Sequence, residues 1–225
     1  MKKVENPLVA FPRFVLLSLS NISAMEGISA KQQWPQISKN RFQVRDEFSD
    51  VAFVVQGQRL YVSKTVMMMH SPVFQKMFTA DFREKNLQEI PLPQKRYEVV
   101  VNFLEQLYPG EGVDLIKDET LDDLLQLAEE YQAEQVFINC KQFIAKQLQR
   151  MTRGIGLFSV QDTDRRLFYL ELAQRYQKLS SLRENLIAMV SQIQLKDLQQ
   201  SERFSALSVE LQRDILMQRV KIFEG

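Results

Sequence analysis

The sequence predicts an α+β domain, a small mixed sheet flanked by a helical cluster, followed by an all-helical extension. Three observations predict it. Val51, Phe53 and Val55 alternate with Ala52, Val54 and Gln56, a period of two with one apolar face and a second face that is also mostly apolar. From Val66 the apolar residues Val66, Met69, Val73 and Met77 recur at steps of three and four, with Phe78 beside the last, the period of a helix. Beyond Arg150 every apolar periodicity is helical.

The elements follow in order. Residues 1–40 are weakly patterned. Residues 14–19 have the composition of a strand, and Trp34-Pro35 interrupts a polar stretch. This segment reads either as a loose extension or added edge strand, or as a docking segment or the remnant of an upstream recognition domain. Gln56-Gly57-Gln58 turns the first strand into a second that carries Leu60 and Val62, with Gly supplying a φ other residues resist. Ser71-Pro72 splits the helical run in two, a capping residue followed by a proline at the first helical turn. Residues 89–92 form a short strand, and Pro91 marks it as an edge. Tyr97, Val100, Val101, Leu104, Leu107 and Tyr108 line one face of a helix that ends at Pro109-Gly110. Residues 113–116 read as a brief extended piece. Thr120 with Asp123 approximates a capping box ahead of Leu121, Leu124, Leu125 and Ala128. A helix over about 134–150 buries Val136, Cys140, Phe143, Ile144 and Leu148. Gly154 and Gly156, beside a charge cluster, mark a domain boundary. Helical faces at 167–176, 182–193 and 207–216 complete the chain, the last with Ser205 or Ser208 near its start.

Asp50-Val51-x-Phe53-x-Val55-x-Gly57-x-x-Leu60-x-Val62-x-Lys64, then Ser71-x-x-Phe74-x-x-Met77-Phe78, resembles the opening of a BTB/POZ domain. Glu89-Ile90-Pro91-Leu92, Phe103-Leu104, Leu107-Tyr108, Leu124-Leu125, Ala128, Tyr131-Gln132, Val136, Cys140 and Phe143 continue the resemblance in order. Ser63-Lys64 departs from the His-Lys or His-Arg usual in that family. The resemblance implies a BTB/POZ domain over 41–149, an N-terminal extension over 1–40 and a BACK-like helical extension over 150–225. It also implies two surfaces. One is a homodimer interface formed by the N-terminal strand, in whose place the short alternating run Phe42-Gln43-Val44 stands, and the first helices. Asp50 and Lys64 match the family's charged pair there, with Phe48 and Met68 beside them, a carboxylate taken from water needing a cation. The other is Phe82-Arg83-Glu84, in the place where BTB ubiquitin-ligase adaptors carry a hydrophobic-x-acidic motif that contacts the third cullin. An exposed aromatic followed by an acid gives an anchor and an orienting charge. The alternative is that Phe82 folds back onto its own helix.

The sequence offers little chemistry of other kinds. His70 is the one histidine and Cys140 the one cysteine, too few for a His-based zinc site, a triad or an intramolecular disulfide. Both read as packing residues. The pairs Asp122-Asp123 and Glu129-Glu130 read as solvated helix faces, and Gly154-Ile155-Gly156 lacks the lysine of a phosphate loop. No catalytic residue, metal or cofactor is expected. At 225 residues, 45% apolar, 25% charged and net charge +1, the chain has material for a real core and no basic stripe. Nucleic acid is not an expected partner. Neither is a membrane: residues 14–19 fall far short of the roughly 20 apolar residues of a span, and Glu5, Pro7, Pro12 and Arg13 spoil a leader. The expected partners are a second copy, the third cullin and an unidentified protein substrate, in cytoplasm, nucleus or both. The alternative is a dimerising scaffold outside any ligase.

Overall fold

The computed structural model describes residues 40–110, 112–153 and 160–224. The expected strand at 14–19 and the Gly154/Gly156 boundary lie outside the described residues.

Strand β1 (Val51–Val55) pairs antiparallel with β2 (Gln58–Val62), Phe53 opposite Leu60. Gln56 (φ 50°) and Gly57 (φ 77°) make the two-residue turn, both in the left-handed region that matches the twist of a hairpin. Strand β3 (Glu89–Pro91) runs parallel to β1 on its other side, giving the order β2-β1-β3. The central position of β1 explains its apolar second face: Ala52 is buried along with Val51, Phe53 and Val55. The proline-bearing β3 sits at an edge, where a missing donor does no harm.

Helix α1 (Lys64–His70) and helix α2 (Pro72–Thr79) follow the hairpin. Ser71 between them bonds twice: its Oγ accepts from the Phe74 N–H (3.1 Å), capping α2, and its hydroxyl donates to the Tyr131 carbonyl (2.5 Å). Phe74 is the centre of an aromatic stack, 5.4 Å from Phe53, 4.5 Å from Tyr131 and 6.0 Å from Phe78. Helices α3 (Tyr97–Leu107), α4 (Asp118–Glu130) and α5 (Glu134–Arg153) close the core over the sheet.

Three local expectations are corrected. Residues 113–116 are not extended; Gly112–Leu115 is a 3-10 turn. Its carbonyls are taken by α3, Gln106 Nε2 donating to Gly112 O (2.7 Å) and Asn102 Nδ2 to Leu115 O (3.3 Å), so no strand partner is needed. Asn139 Nδ2 from α5 completes this buried amide network at Gln106 Oε1 (3.0 Å). Thr120 does not cap α4, which begins at Asp118; its hydroxyl contacts the Lys117 carbonyl (3.3 Å), and Asp118 and Glu119 place negative charge in the first turn. Phe42 is not on a strand. It lies in a 3-10 turn (Arg41–Gln43) capped by Asn40, buried edge-on against Tyr108 at 5.1 Å, with Arg41 over both rings and paired to Glu105 at 2.6 Å.

The rest is helical: α6 (Val160–Arg175), a 3-10 stretch (Gln177–Leu182), α7 (Arg183–Ser191), α8 (Leu195–Gln200), α9 (Glu202–Ala206) and α10 (Val209–Glu224). Ser201 caps α9 at the Phe204 N–H (3.2 Å), and Ser208 caps α10 at the Leu211 N–H (3.3 Å). Two carboxylates one turn apart on α4 fasten this region to the first. Asp118 accepts from the Tyr169 hydroxyl (2.6 Å) and pairs with Arg165 (2.8 Å). Asp122 accepts from the Tyr176 hydroxyl (2.8 Å) and pairs with Arg175 (2.6 Å). Burial holds both tyrosine hydroxyls protonated well beyond the ordinary phenol range. Asp122 and Asp123 are therefore not an idle solvated face, since Asp123 also accepts from Arg96 (2.7 Å).

Candidate protein-docking surfaces

The segment after α2 is built to present one ring. The Phe82 N–H donates to the Ala80 carbonyl (2.8 Å), and the Phe82 carbonyl accepts from the Lys85 N–H (3.2 Å), opening a 3-10 turn (Arg83–Asn86). This turn leaves Phe82 53% exposed. Arg83 is exposed and Glu84 half-buried beside it, and the Glu84 carbonyl accepts from the Leu87 N–H (3.2 Å). The phenylalanine does not fold back onto its own helix.

The Asp50–Lys64 pair takes another form than a side-chain ion pair. Asp50 Oδ1 accepts from the Lys64 backbone N–H at 2.7 Å. Ser63, the N-cap residue of α1, makes no side-chain cap, so the carboxylate supplies it from the start of β1, where the helix end favours negative charge. The lysine ammonium goes elsewhere: it donates to the Lys85 carbonyl (3.0 Å) and lies 5.4 Å from the centre of the Phe78 ring. Lys64 thus ties α1 to the turn that carries Phe82. Where the family usually has His, the Ser63 N–H donates to the Tyr108 hydroxyl (2.8 Å).

Exposed apolar side chains also occur on α1 and on the segment before β1. Phe48 is 72% and Met69 76% exposed, with Val44 also in water. Met67 belongs to the core and Met68 is half-buried against it. Asp46 shapes the approach to β1, its Oδ1 accepting from the Phe48 N–H (3.1 Å) and the Ser49 hydroxyl (2.5 Å), and the Ser49 bond holds its carboxyl below the usual range.

A cleft of about 470 Å³ lies between α2, α4, α5 and the 3-10 stretch, with Pro72, Gln132, Phe137 and Tyr176 among its walls. Lys178 sits over the Phe137 ring at 5.5 Å and pairs with Glu134. Sequence reasoning missed this cleft because its walls come from separate stretches, and only their packing makes them neighbours. The eight residues of α2 run from Pro72 at the cleft to the segment preceding Phe82, a distance of about 12 Å.

The residues considered for other chemistry lie apart. Cys140 is fully buried, which pushes its thiol far above the ordinary range, and His70 is half-buried at the end of α1. Among the described residues no three His, Cys, Asp or Glu side chains gather as a metal site needs, and no helix is long and apolar enough to cross a membrane.

Residues 39–148 match the BTB/POZ domain family. The chain carries a BTB/POZ domain. Over 100 residues it is 33% identical to an Arabidopsis thaliana protein described as an ARM repeat protein interacting with ABF2, a match covering 44% of this chain and 14% of that one. Over 102 residues it is 28% identical to BTB and MATH domain-containing protein 36 of Caenorhabditis elegans, covering 45% of this chain and 31% of that one. The chain therefore aligns with less than a third of either relative, and the aligned part is the BTB/POZ domain. That domain is a protein-interaction domain, and the exposed rings at Phe82 and Phe48 belong to it.

Proposed function

We propose that the chain is a homodimeric substrate adaptor of a cullin–RING ubiquitin ligase, engaging the third cullin through Phe82, Arg83 and Glu84. The observation that carries this reading is the exposed Phe82 ring on a turn fixed by Lys64. A ring held in water on a pinned turn loses little freedom on binding, which is how an anchor residue contributes affinity. Glu84 beside it orients a basic or polar partner group. The cleft at Pro72, at the other end of α2 from the segment preceding Phe82, takes Tyr176 and Lys178 of the helical region into its walls, which supports a BACK-like role for residues 150–225 in lengthening the contact. Val44, Phe48, Met68 and Met69 support a second copy docking at α1. Asp50 acts there by capping α1 and so setting the helix against its partner. The adaptor has no chemistry of its own; it raises the local concentration of a target at the ligase, in the cytoplasm or nucleus.

The test is a binding titration of the full chain against the N-terminal domain of the third cullin, beside Phe82→Ala and Glu84→Ala. Micromolar or tighter binding, weakened at least about tenfold by Phe82→Ala, supports the adaptor. A folded dimer that does not bind favours the second reading, a dimerising scaffold outside any ligase, for which the exposed Phe48 and Met69 are the supporting feature.

A further inference from the structure

Helix α10 carries two apolar stripes rather than one. Leu211 and Ile215 are buried on its inner side. Arg219 fixes that side to the end of α7 by donating to the carbonyls of Ser191 (2.9 Å) and Ile193. A second line runs along the opposite side at steps of four and three: Val209, Arg213, Leu216, Val220 and Phe223. Its four apolar members are all exposed, as is Met217 at its flank. An alternation of four and three averages 3.5 residues, the spacing of a two-helix seam. A helix that docks on its own domain needs only one apolar stripe.

We infer that this outer stripe of α10 pairs with the same helix of a second copy, in antiparallel orientation. The charges select both the occupant and the direction. Glu210 and Lys221 lie on one flank of the stripe, eleven residues and so about three turns apart, and Arg213 stands within the seam. A parallel pair in register would bring two Arg213 guanidinium groups together in a dehydrating seam and would leave Glu210 and Lys221 on opposite sides of it from their own copies, unpaired. An antiparallel pair that places Val209 against the partner subunit's Val220 removes that conflict and brings the two like flanks side by side. Arg213 then lies against the partner subunit's Leu216 and carries its charged end to the seam's edge, while Glu210 comes beside the partner subunit's Lys221. The stripe is complementary to its own reverse, which is what a two-fold contact requires and what an unrelated helix would not. Sixteen residues of helix span about 24 Å, so the contact is smaller than the roughly 1,200 Å² of a stable complex and is a weak one, seen at high protein concentration.

The test uses the full chain with single cysteines, since Cys140 is buried. Chains carrying Val209→Cys and Val220→Cys are oxidised separately and mixed. The expected result is a disulfide between the two kinds of chain in the mixture and none within either kind alone. Leu216→Glu, with helix content and melting temperature retained, lowers the average mass in sedimentation at about 100 μM by weakening the contact at least tenfold. Glu210→Lys and Lys221→Glu each weaken it, and the two together restore it. Cross-linking of each variant to itself would overturn the antiparallel arrangement. Absence of any cross-link, with mass unchanged by Leu216→Glu, would overturn the self-pairing and leave the stripe to residues 1–39 or to a foreign helix. Cross-linking reads α10 alone, so the outcome is independent of dimerisation at α1 and of cullin binding.

Discussion

Replacing Asp122 with alanine removes one of the two carboxylates that hold the helical region on the BTB/POZ domain. Two partners are lost, and they are not equivalent. Arg175 is 45% and Asp122 32% exposed at the side chain, and Arg175 keeps Glu171 at 3.0 Å, so that ion pair contributes no more than about 0.5 kcal/mol. Tyr176 is only 2% exposed, and its hydroxyl would be left buried without its acceptor at 2.8 Å, a penalty of about 1–3 kcal/mol. The expected loss is about 2 kcal/mol, or a urea midpoint lower by about 1 M at a slope near 2 kcal/mol/M. Asp122→Asn keeps an acceptor for the hydroxyl and loses about half as much. Tyr176→Phe in the alanine background removes the orphaned group, so the two substitutions together destabilise by about 1 kcal/mol less than their sum. Additive losses in that cycle, or an alanine variant within about 0.5 kcal/mol of the parent, would refute the assignment of the stability to the buried hydroxyl.

Other outcomes follow from neighbouring features. Ser71→Ala deletes the cap of α2 and the bond to the Tyr131 carbonyl at a buried site, and calorimetry should show a loss of about 2 kcal/mol. Gly112→Ala puts a Cβ 2.7 Å from the Glu105 carbonyl oxygen, so the 3-10 turn must shift; a melting temperature lower by several degrees, from about 1–3 kcal/mol, is expected. Stability should fall at alkaline pH. Burial raises the hydroxyls of Tyr131, Tyr169 and Tyr176, so their contribution is intact below the unfolded value near 10 and is lost as pH rises above it. Each contributes about 1.4 kcal/mol per pH unit, and Tyr169→Phe should flatten an alkaline denaturation curve by one such share. Lys64→Met should leave the fold in place while loosening the Phe82 turn, seen as faster amide exchange at Lys85 and Leu87.

The hairpin and the first helices were legible because their signals are local. A period of two gives way to a helical period at the α1 boundary, and Ser71-Pro72 marks a cap whatever surrounds it. The exposure of Phe82 was legible because its neighbours are polar and leave it nothing to pack on. What failed depended on distant partners. The short run at Phe42 alternates like a strand, but Tyr108 and Glu105, more than sixty residues on, draw Phe42 and Arg41 inward. Asp50 meets the amide of Lys64 and not its ammonium, a distinction that a sequence does not make. Asp122 read as a solvated acid because nothing nearby on its own helix neutralises it; Arg175 and Tyr176 arrive from another helix.

The parallel strand β3 sets the order in which the Phe82 surface can be made. The hairpin of β1 and β2 closes across a two-residue turn, an event of microseconds. Strand β3 reaches β1 only after residues 56–88 have been threaded back, and the entropy of closing that longer loop is met before its pairing returns anything. The Phe82 turn lies on this return path, and the Lys85 carbonyl that Lys64 holds is four residues short of β3. A growing or partly unfolded chain therefore shows the ring without the turn that aims it. A partner that docked at this turn, as proposed, would therefore also read whether the domain is finished.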